Sequence, residues 1–414
     1  MAKTLADIPV DKAEWAQYIA LMRMHLFLIG ETHRMLIEYG QRARATLLGA
    51  AGEDGTLDGA GLLKAQNALV EDWERVFGDW TAMFEALRLE AARLPFGTVA
   101  VWHQGWIAYN APKTERHGSP RSGRELVEQE GGNPVFDPQL QKVMAAANQR
   151  IYQDGLQLSQ RIWKLDTDSV NGIKAALYNG VASGDSAWNI AKQLEQYLGA
   201  GMDCPRWTST RLGGLTKTDI ASGNPAGLYS GDACASQGVS YYALRLARNE
   251  IQAIHNMATD AALGVPWVVG EQIVLSPSHP PIGCDCEDIV KGGENGDGVY
   301  PVGTILLPVH VQCLCLKIAV MMNEAQFVSN LNGWVAGTTP WAAMDAYAET
   351  VGVTNRPDIF TVAVGAAMAN SLTTWLWGDE DALNRQARGN VQLQLPLQEY
   401  FLGNVPLGMV GLSS

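Results

Sequence analysis

The sequence predicts a mainly helical α+β protein in three successive parts. These are a helical N-terminal region over 1–168, a small α+β central module over 169–320 and a C-terminal extension over 321–414. Three observations predict it. Long stretches repeat apolar residues at steps of three and four, the period of a helix with one buried face. Two short runs rich in Val, Ile and Leu, WVVGEQIVL and residues 316–322, have the length and composition of strands. Between those runs lie four of the six cysteines, in two tight clusters with a histidine beside the second.

Taken in order, residues 11–50 read as a helix, because Trp15, Ile19, Met22, Leu26, Ile29 and His33 fall at helical spacing. Glycine and aspartate break the pattern over 52–61. A second helix is expected over 62–94, with Trp73, Phe77, Trp80, Phe84 and Leu87 on one stripe and Pro95-Phe96-Gly97 ending it. With Trp15, this stripe carries more aromatic area than two helices bury against each other. It therefore reads as a docking surface within 11–165, the alternative being a self-contained bundle with the stripe inside. Residues 98–109 read as a short strand. Residues 110–138 form a polar loop with Lys113, Arg116, His117, Arg121 and Arg124, a local basic patch that is either plainly solvated or a contact for nucleic acid.

Helix is expected again over 138–163. From 168 to 198 two helices flank a Gly184-Asp185-Ser186 junction, with Asp185 or Ser186 as the N-cap of the second. Residues 199–238 are rich in Gly and Ser and read as a long loop. A helix resumes over 239–262 until Gly264-Val265-Pro266 stops it, and the first strand follows. The uncharged run 359–378 contains Asn370, Ser371 and three threonines, so it reads as a buried helix and not a membrane span.

The net charge of −13 argues against a general nucleic-acid coat, which needs clustered Lys and Arg. So few cysteines in 414 residues indicate a reducing compartment, with Cys204 and Cys234 as free thiols. MAKTLADIPVDKAEW lacks a basic-then-apolar pattern, so no cleaved export signal is expected. No phosphate-cradling Gly loop, His-Glu-x-x-His or Gly-x-Ser-x-Gly is present.

The two clusters are Cys284-Asp285-Cys286 and His310-Val311-Gln312-Cys313-Leu314-Cys315. Thiolate and imidazole are preferred zinc ligands, and extended Cys-x-Cys pieces would place both sulfurs on one side. The central module is accordingly expected to be stapled by structural zinc on Cys284, Cys286, His310 and Cys313, with Cys315 the nearest alternative. Reduced buried thiols and disulfides are the other readings of the same residues. His255 and His279 are further candidate ligands. Asp285 is expected to be exposed between the thiolates.

The ordered set ASGDSAWNIAKQL, Ala247-Arg248-Asn249-Glu250 with Asn256, Trp267, Cys284/Cys286 and His310 to Cys315 resembles the phage head morphogenesis proteins similar to protein F of phage Mu. The likeness covers roughly 170–320. Asn249 stands where that family has threonine, Val311 and Leu314 replace its proline and arginine, and no arginine precedes the first cluster. The resemblance implies a minor capsid protein in few copies, docked on the portal or major capsid protein. It would assemble in the host cytoplasm and belong to the virion head, with packaged DNA as a further candidate partner. No membrane partner and no enzyme activity are expected, since neither an apolar span nor a catalytic motif is visible. Arg248 and Glu250 then read as an ion-pair network pinning their helix to the zinc module, and Asn256 as a backbone partner. The competing function is a zinc-dependent enzyme, with Glu250 as general base, or a toxin-like transferase.

Overall fold

The computed structural model describes residues 12–110, 137–152, 154–199, 238–276, 284–310 and 313–350. Among these, α1 is Lys12–Ala50, α2 Gly59–Asn110, α3 Asp137–Gln149, α4 Leu158–Ala182, α5 Ala187–Leu198 and α6 Gly238–Ala262. β1 (Val268–Val274), α7 (Asp285–Ile289), β2 (Val299–Tyr300) and β3 (Leu316–Met321) follow, then α8 (Glu324–Val335) and α9 (Ala342–Thr350). The chain is mainly helical α+β, as its sequence predicts.

α1 is enclosed by three other helices. From Leu21 to Ile29 almost every α1 side chain is buried, because α2, α5 and α6 cover it on several sides. On α6 the residues facing this core are mostly small (Ala243, Ala247, Ile251, Ile254, Ala258, Ala262), which lets the backbones approach closely. Gly180 on α4 serves the same end, since a Cβ there would fall 2.5 Å from Ile190 of α5. Ser186 caps α5, accepting the Asn189 N–H at 3.3 Å.

The aromatic stripe of α2 lies inside this bundle. Trp73, Trp80 and Phe84 are at most 4% exposed, and half-buried Phe77 stacks between the two tryptophans. Their polar atoms are satisfied internally: Trp73 Nε1 donates to Asp166 and Trp80 Nε1 to Thr32. The stripe is therefore core and not an exposed docking patch. The side chain of Trp15 lies outside the described residues.

Two further expectations are corrected. Residues 98–109 are not a strand, because α2 continues through Pro95 to Asn110. Proline removes one helical hydrogen bond and crowds the preceding turn, at about 3 kcal/mol. Buried Leu87, Ala91, Ala92 and Phe96 on either side of Pro95 hold the helix to the core against that cost. Val99, Trp102 and Trp106 also fit helical spacing as well as they fit a strand. The helix expected over 138–163 is broken around Asp154-Gly155, where Gly155 takes φ +76° and Asp154 accepts the Leu156 N–H. α4 then runs unbroken through 168.

The sheet is antiparallel with order β2-β1-β3, and Ile273 and Val274 of β1 pair with Lys317 and Leu316 of β3. Its two faces divide by alternation. Val274, Leu314, Leu316 and Ile318 join the main helical core, whereas Ile273, Leu275, Cys313 and Cys315 line a smaller second core. Beyond β3, α8 and α9 return to the main core through Phe327, Leu331, Trp334 and Tyr347. Tyr347 meets Trp267 edge-on at 5.1 Å. The basic patch at 113–124, the 200–237 stretch with Cys204 and Cys234, His279 and the run 359–378 lie outside the described residues. No described helix is long and apolar enough to cross a membrane.

Candidate metal centre

The second core is built where β1, α7, the 291–310 loop and the lead into β3 converge. Cys284 and Cys286 do not lie on an extended piece as expected. Cys284 is the N-cap of α7, its sulfur accepting the Cys286 N–H at 3.4 Å, and Cys286 sits in the first turn. Asp285, Glu287 and Asp288 favour a helix start here, since carboxylates are stabilised at a helix N-terminus. The glycine-rich loop then folds back on α7. Gly298 donates to the Gly292 carbonyl at 2.9 Å, and Gly293 takes φ +83° in a space where a Cβ would strike Val299. Cys313 and Cys315 do follow strand alternation and face the same side as Ile273.

These local folds bring the five sequence-predicted donors into two adjoining groups that share Cys286. Cys284 Sγ and His310 Nε2 are 2.9 Å apart, and Cys286 Sγ and Cys313 Sγ 3.6 Å. Two triads result, Cys284/Cys286/His310 and Cys286/Cys313/Cys315, each with its ligand atoms within 4.8 Å of one another. Cys286 belongs to both. Sulfurs bound tetrahedrally at about 2.3 Å from one ion would lie roughly 3.8 Å apart, so the Cys286–Cys313 spacing fits a shared metal. The described cysteines are all free thiols, and three of the four are buried.

Electrostatics favour the same reading. Hydrogen bonds from Cys286 and Cys315 hold the Cys313 thiol far below its usual range, while the contact with Cys313 drives Cys286 up. Sulfurs this close resist ionising together, and a divalent cation removes that resistance. The residues present therefore fit a metal ion. Asp285 is exposed, as expected.

The other singled-out residues go elsewhere. His255 is buried in the bundle, its Nε2 2.8 Å from the Gln17 side-chain amide. Asn256 donates to the Gln252 carbonyl at 2.8 Å, a backbone partner as expected. Glu250 does not pin α6 to the metal module. Its carboxylate accepts from Tyr152, and burial raises it above the usual carboxylate range against that bond and the fields of Arg150, Arg88 and Arg161. Arg248 is buried on α6, and its charge helps keep nearby His25 neutral. The reason for the different partner is helical geometry: position 250 turns toward the α3–α4 connection, 98 residues away in sequence.

Four functional-looking residues escaped the sequence reading. Lys317 is fully buried between Asp260 and Glu271, and Glu271 also accepts the N–H groups of Gly303 and Ile305 at 2.9 and 3.1 Å. Gln252 donates to the Cys315 carbonyl. The signal for two of them was available: alternation places Glu271 with Ile273, and Lys317 with Cys315, on the buried face. No family model, curated protein or solved structure matches this chain.

Proposed function

We propose that the chain is a minor capsid protein of a tailed phage, a head-morphogenesis component that docks in few copies at the portal or inner capsid. In this reading the Cys/His cluster is a structural zinc staple. The observation that carries it is the donor-rich, largely buried cluster beside the helical bundle. Five protein donors crowd the site among Ile273, Leu275, Val290 and Leu307, which leaves little room for the open position a catalytic zinc keeps. Thiolate-rich coordination also lowers the Lewis acidity that catalysis needs. The ordered motifs from ASGDSAWNIAKQL to His310–Cys315 support the assembly role, and burial of Glu250 against Tyr152 supports a structural part for that carboxylate.

Because the α2 stripe is occupied internally, docking falls to other surfaces, and the full chain is the proper reagent. The test is co-expression with a portal protein and a major capsid protein taken from the genome that encodes the chain. Co-purification with the portal, lost in a Cys284→Ser/Cys313→Ser double variant together with bound zinc, is the expected result. A chain that purifies without zinc, survives chelation with its melting curve unchanged and ignores both capsid proteins would overturn the proposal.

A further inference from the structure

Outside the Cys/His cluster, the molecule buries a second group of reactive side chains. Lys317 Nζ of β3 lies 2.5 Å from Asp260 Oδ1 in the last turn of α6 and 3.2 Å from Glu271 Oε2 of β1. The side chains of Lys317 and Glu271 are fully buried, while that of Asp260 keeps 23% exposure. One ammonium facing two carboxylates leaves an odd negative charge in apolar surroundings, an arrangement that is costly to hold as ions. Burial raises the Asp260 carboxyl to about 6, and a hydrogen bond to Glu271 works in the same direction. Glu271 is itself fixed by the N–H groups of Gly303 and Ile305. An amine thus touches a carboxyl that retains a proton readily, with a second, immobilised carboxylate in reach of the amine.

We propose that Lys317 and Asp260 condense into an intramolecular isopeptide bond, with Glu271 as the catalytic residue that moves the protons. Glu271 Oε2 takes a proton from the Lys317 ammonium. The freed amine attacks Asp260 Cγ, forming the C–N bond. As the tetrahedral adduct collapses, Glu271 gives that proton to the departing hydroxyl and then takes the second nitrogen proton. The carboxyl C–OH bond breaks and one water leaves by the exposed side of Asp260. The balance is ammonium plus carboxylic acid giving amide, water and one proton, which Glu271 holds and then passes to solvent, and no other reactant is needed. Holding both groups in contact supplies effective molarities that reach on the order of 10⁵ M or more, and exclusion of water from Lys317 and Glu271 opposes the reverse hydrolysis. The bond would tie α6 to β3 and close a chain loop containing all five metal donors. It stands independently of the metal and of the assembly role.

The test is the intact mass of the purified, folded full chain under denaturing conditions, followed by protease mapping. The expected mass is lighter than the sequence mass by one water, with a branched peptide joining the segments that contain Asp260 and Lys317. Lys317→Arg and Glu271→Gln should carry their full sequence masses. Should either variant fail to fold, the wild-type mass and map still decide. A folded wild-type chain that keeps its full mass and yields no branched peptide, even after prolonged incubation near pH 6, overturns the proposal and leaves an ion-paired triad.

Discussion

Gln252 of α6 donates its side-chain amide to the carbonyl oxygen of Cys315 at 3.0 Å, and its own Oε1 accepts from His25 Nε2 of α1 at 3.2 Å. A buried chain of bonds therefore runs from the backbone of a residue in the candidate metal centre, through α6, into α1. Glu14 of α1 adds a second link by accepting the Ala319 N–H on the outer edge of β3 at 2.6 Å. Edge strands need such cover because their free N–H groups otherwise pair with other chains. The cluster and the bundle are thereby one mechanical unit.

The first prediction tests that link. Gln252→Leu keeps the volume but orphans the Cys315 carbonyl and the His25 N–H, both buried. Each orphaned group costs about 1–3 kcal/mol, so stability should fall by at least about 2 kcal/mol in urea denaturation. A loss below about 0.5 kcal/mol would mean that these bonds do not form in solution.

Cys286 is the donor common to both triads, and this ranks the cysteine substitutions. Cys286→Ser should abolish zinc retention against a competing chelator, whereas Cys315→Ser should leave a complete set on Cys284, Cys286, His310 and Cys313. Structural zinc contributes on the order of 10 kcal/mol of apparent binding energy, so Cys286→Ser should also unfold the second core. Zinc retained by Cys286→Ser but lost from Cys315→Ser would invert the assigned geometry.

The sequence was most legible where one face of an element is apolar. The α6 boundaries, the Ser186 cap, β1, β3 and the alternation of Cys313 and Cys315 all follow from period and cap chemistry. It was least legible where tertiary contact overrides a local signal. Pro95 reads as a helix end, yet the buried residues around it carry α2 onward. The stripe from Trp73 to Phe84 reads as a docking surface and proves to be core, because two helices give no count of how many others will cover it. Ligand types picked out the candidate metal centre without its geometry: Cys284 and Cys286 converge through a helix start. Partners of Glu250 and Gln252 lie far away in sequence, and no local pattern encodes such pairs.

The aromatic ladder gives a core prediction. Trp73 is 1% exposed, stacks on Phe77 at 5.8 Å and donates to Asp166 at 2.9 Å. Trp73→Ala should cost about 3–5 kcal/mol through lost transfer energy and a residual cavity. Trp73→Phe should cost less, since it fills most of the space and loses chiefly the indole bond. Equal losses in the two variants, by chemical denaturation, would show that packing contributes little here.

Tyr152 and Glu250 separate a structural carboxylate from a catalytic one. Tyr152→Phe removes the hydroxyl that Glu250 accepts from and should destabilise by about 1–3 kcal/mol. Glu250→Gln retains an acceptor and should be milder. A chemical activity that disappeared in Glu250→Gln with the fold intact would refute the structural assignment.

Buried histidines set the last prediction. Burial lowers His25 and His255 from the ordinary 6.5 to about 3, with Arg248 adding to the effect on His25, and lowers His33 to about 4. All three are neutral in the folded chain and regain an ordinary pKa on unfolding. Below about pH 6.5 the unfolded chain consequently binds more protons than the folded one. The histidine contribution is complete above that pH and is lost as pH falls toward 3, at up to about 1.4 kcal/mol per pH unit for each histidine. The raised carboxyls Glu250 and Asp260 act in the opposite sense, because the fold favours their protonated forms and rising pH removes that advantage. A single-residue comparison isolates the histidine effect. His255→Gln preserves a polar partner for Gln17 but does not titrate, so its stability should depend on pH less steeply than wild type. Between about pH 5 and 6 the two slopes should differ by about 1 kcal/mol per unit, measured by urea denaturation at each pH. Identical slopes would mean that His255 is protonated, or open to water, in the folded chain.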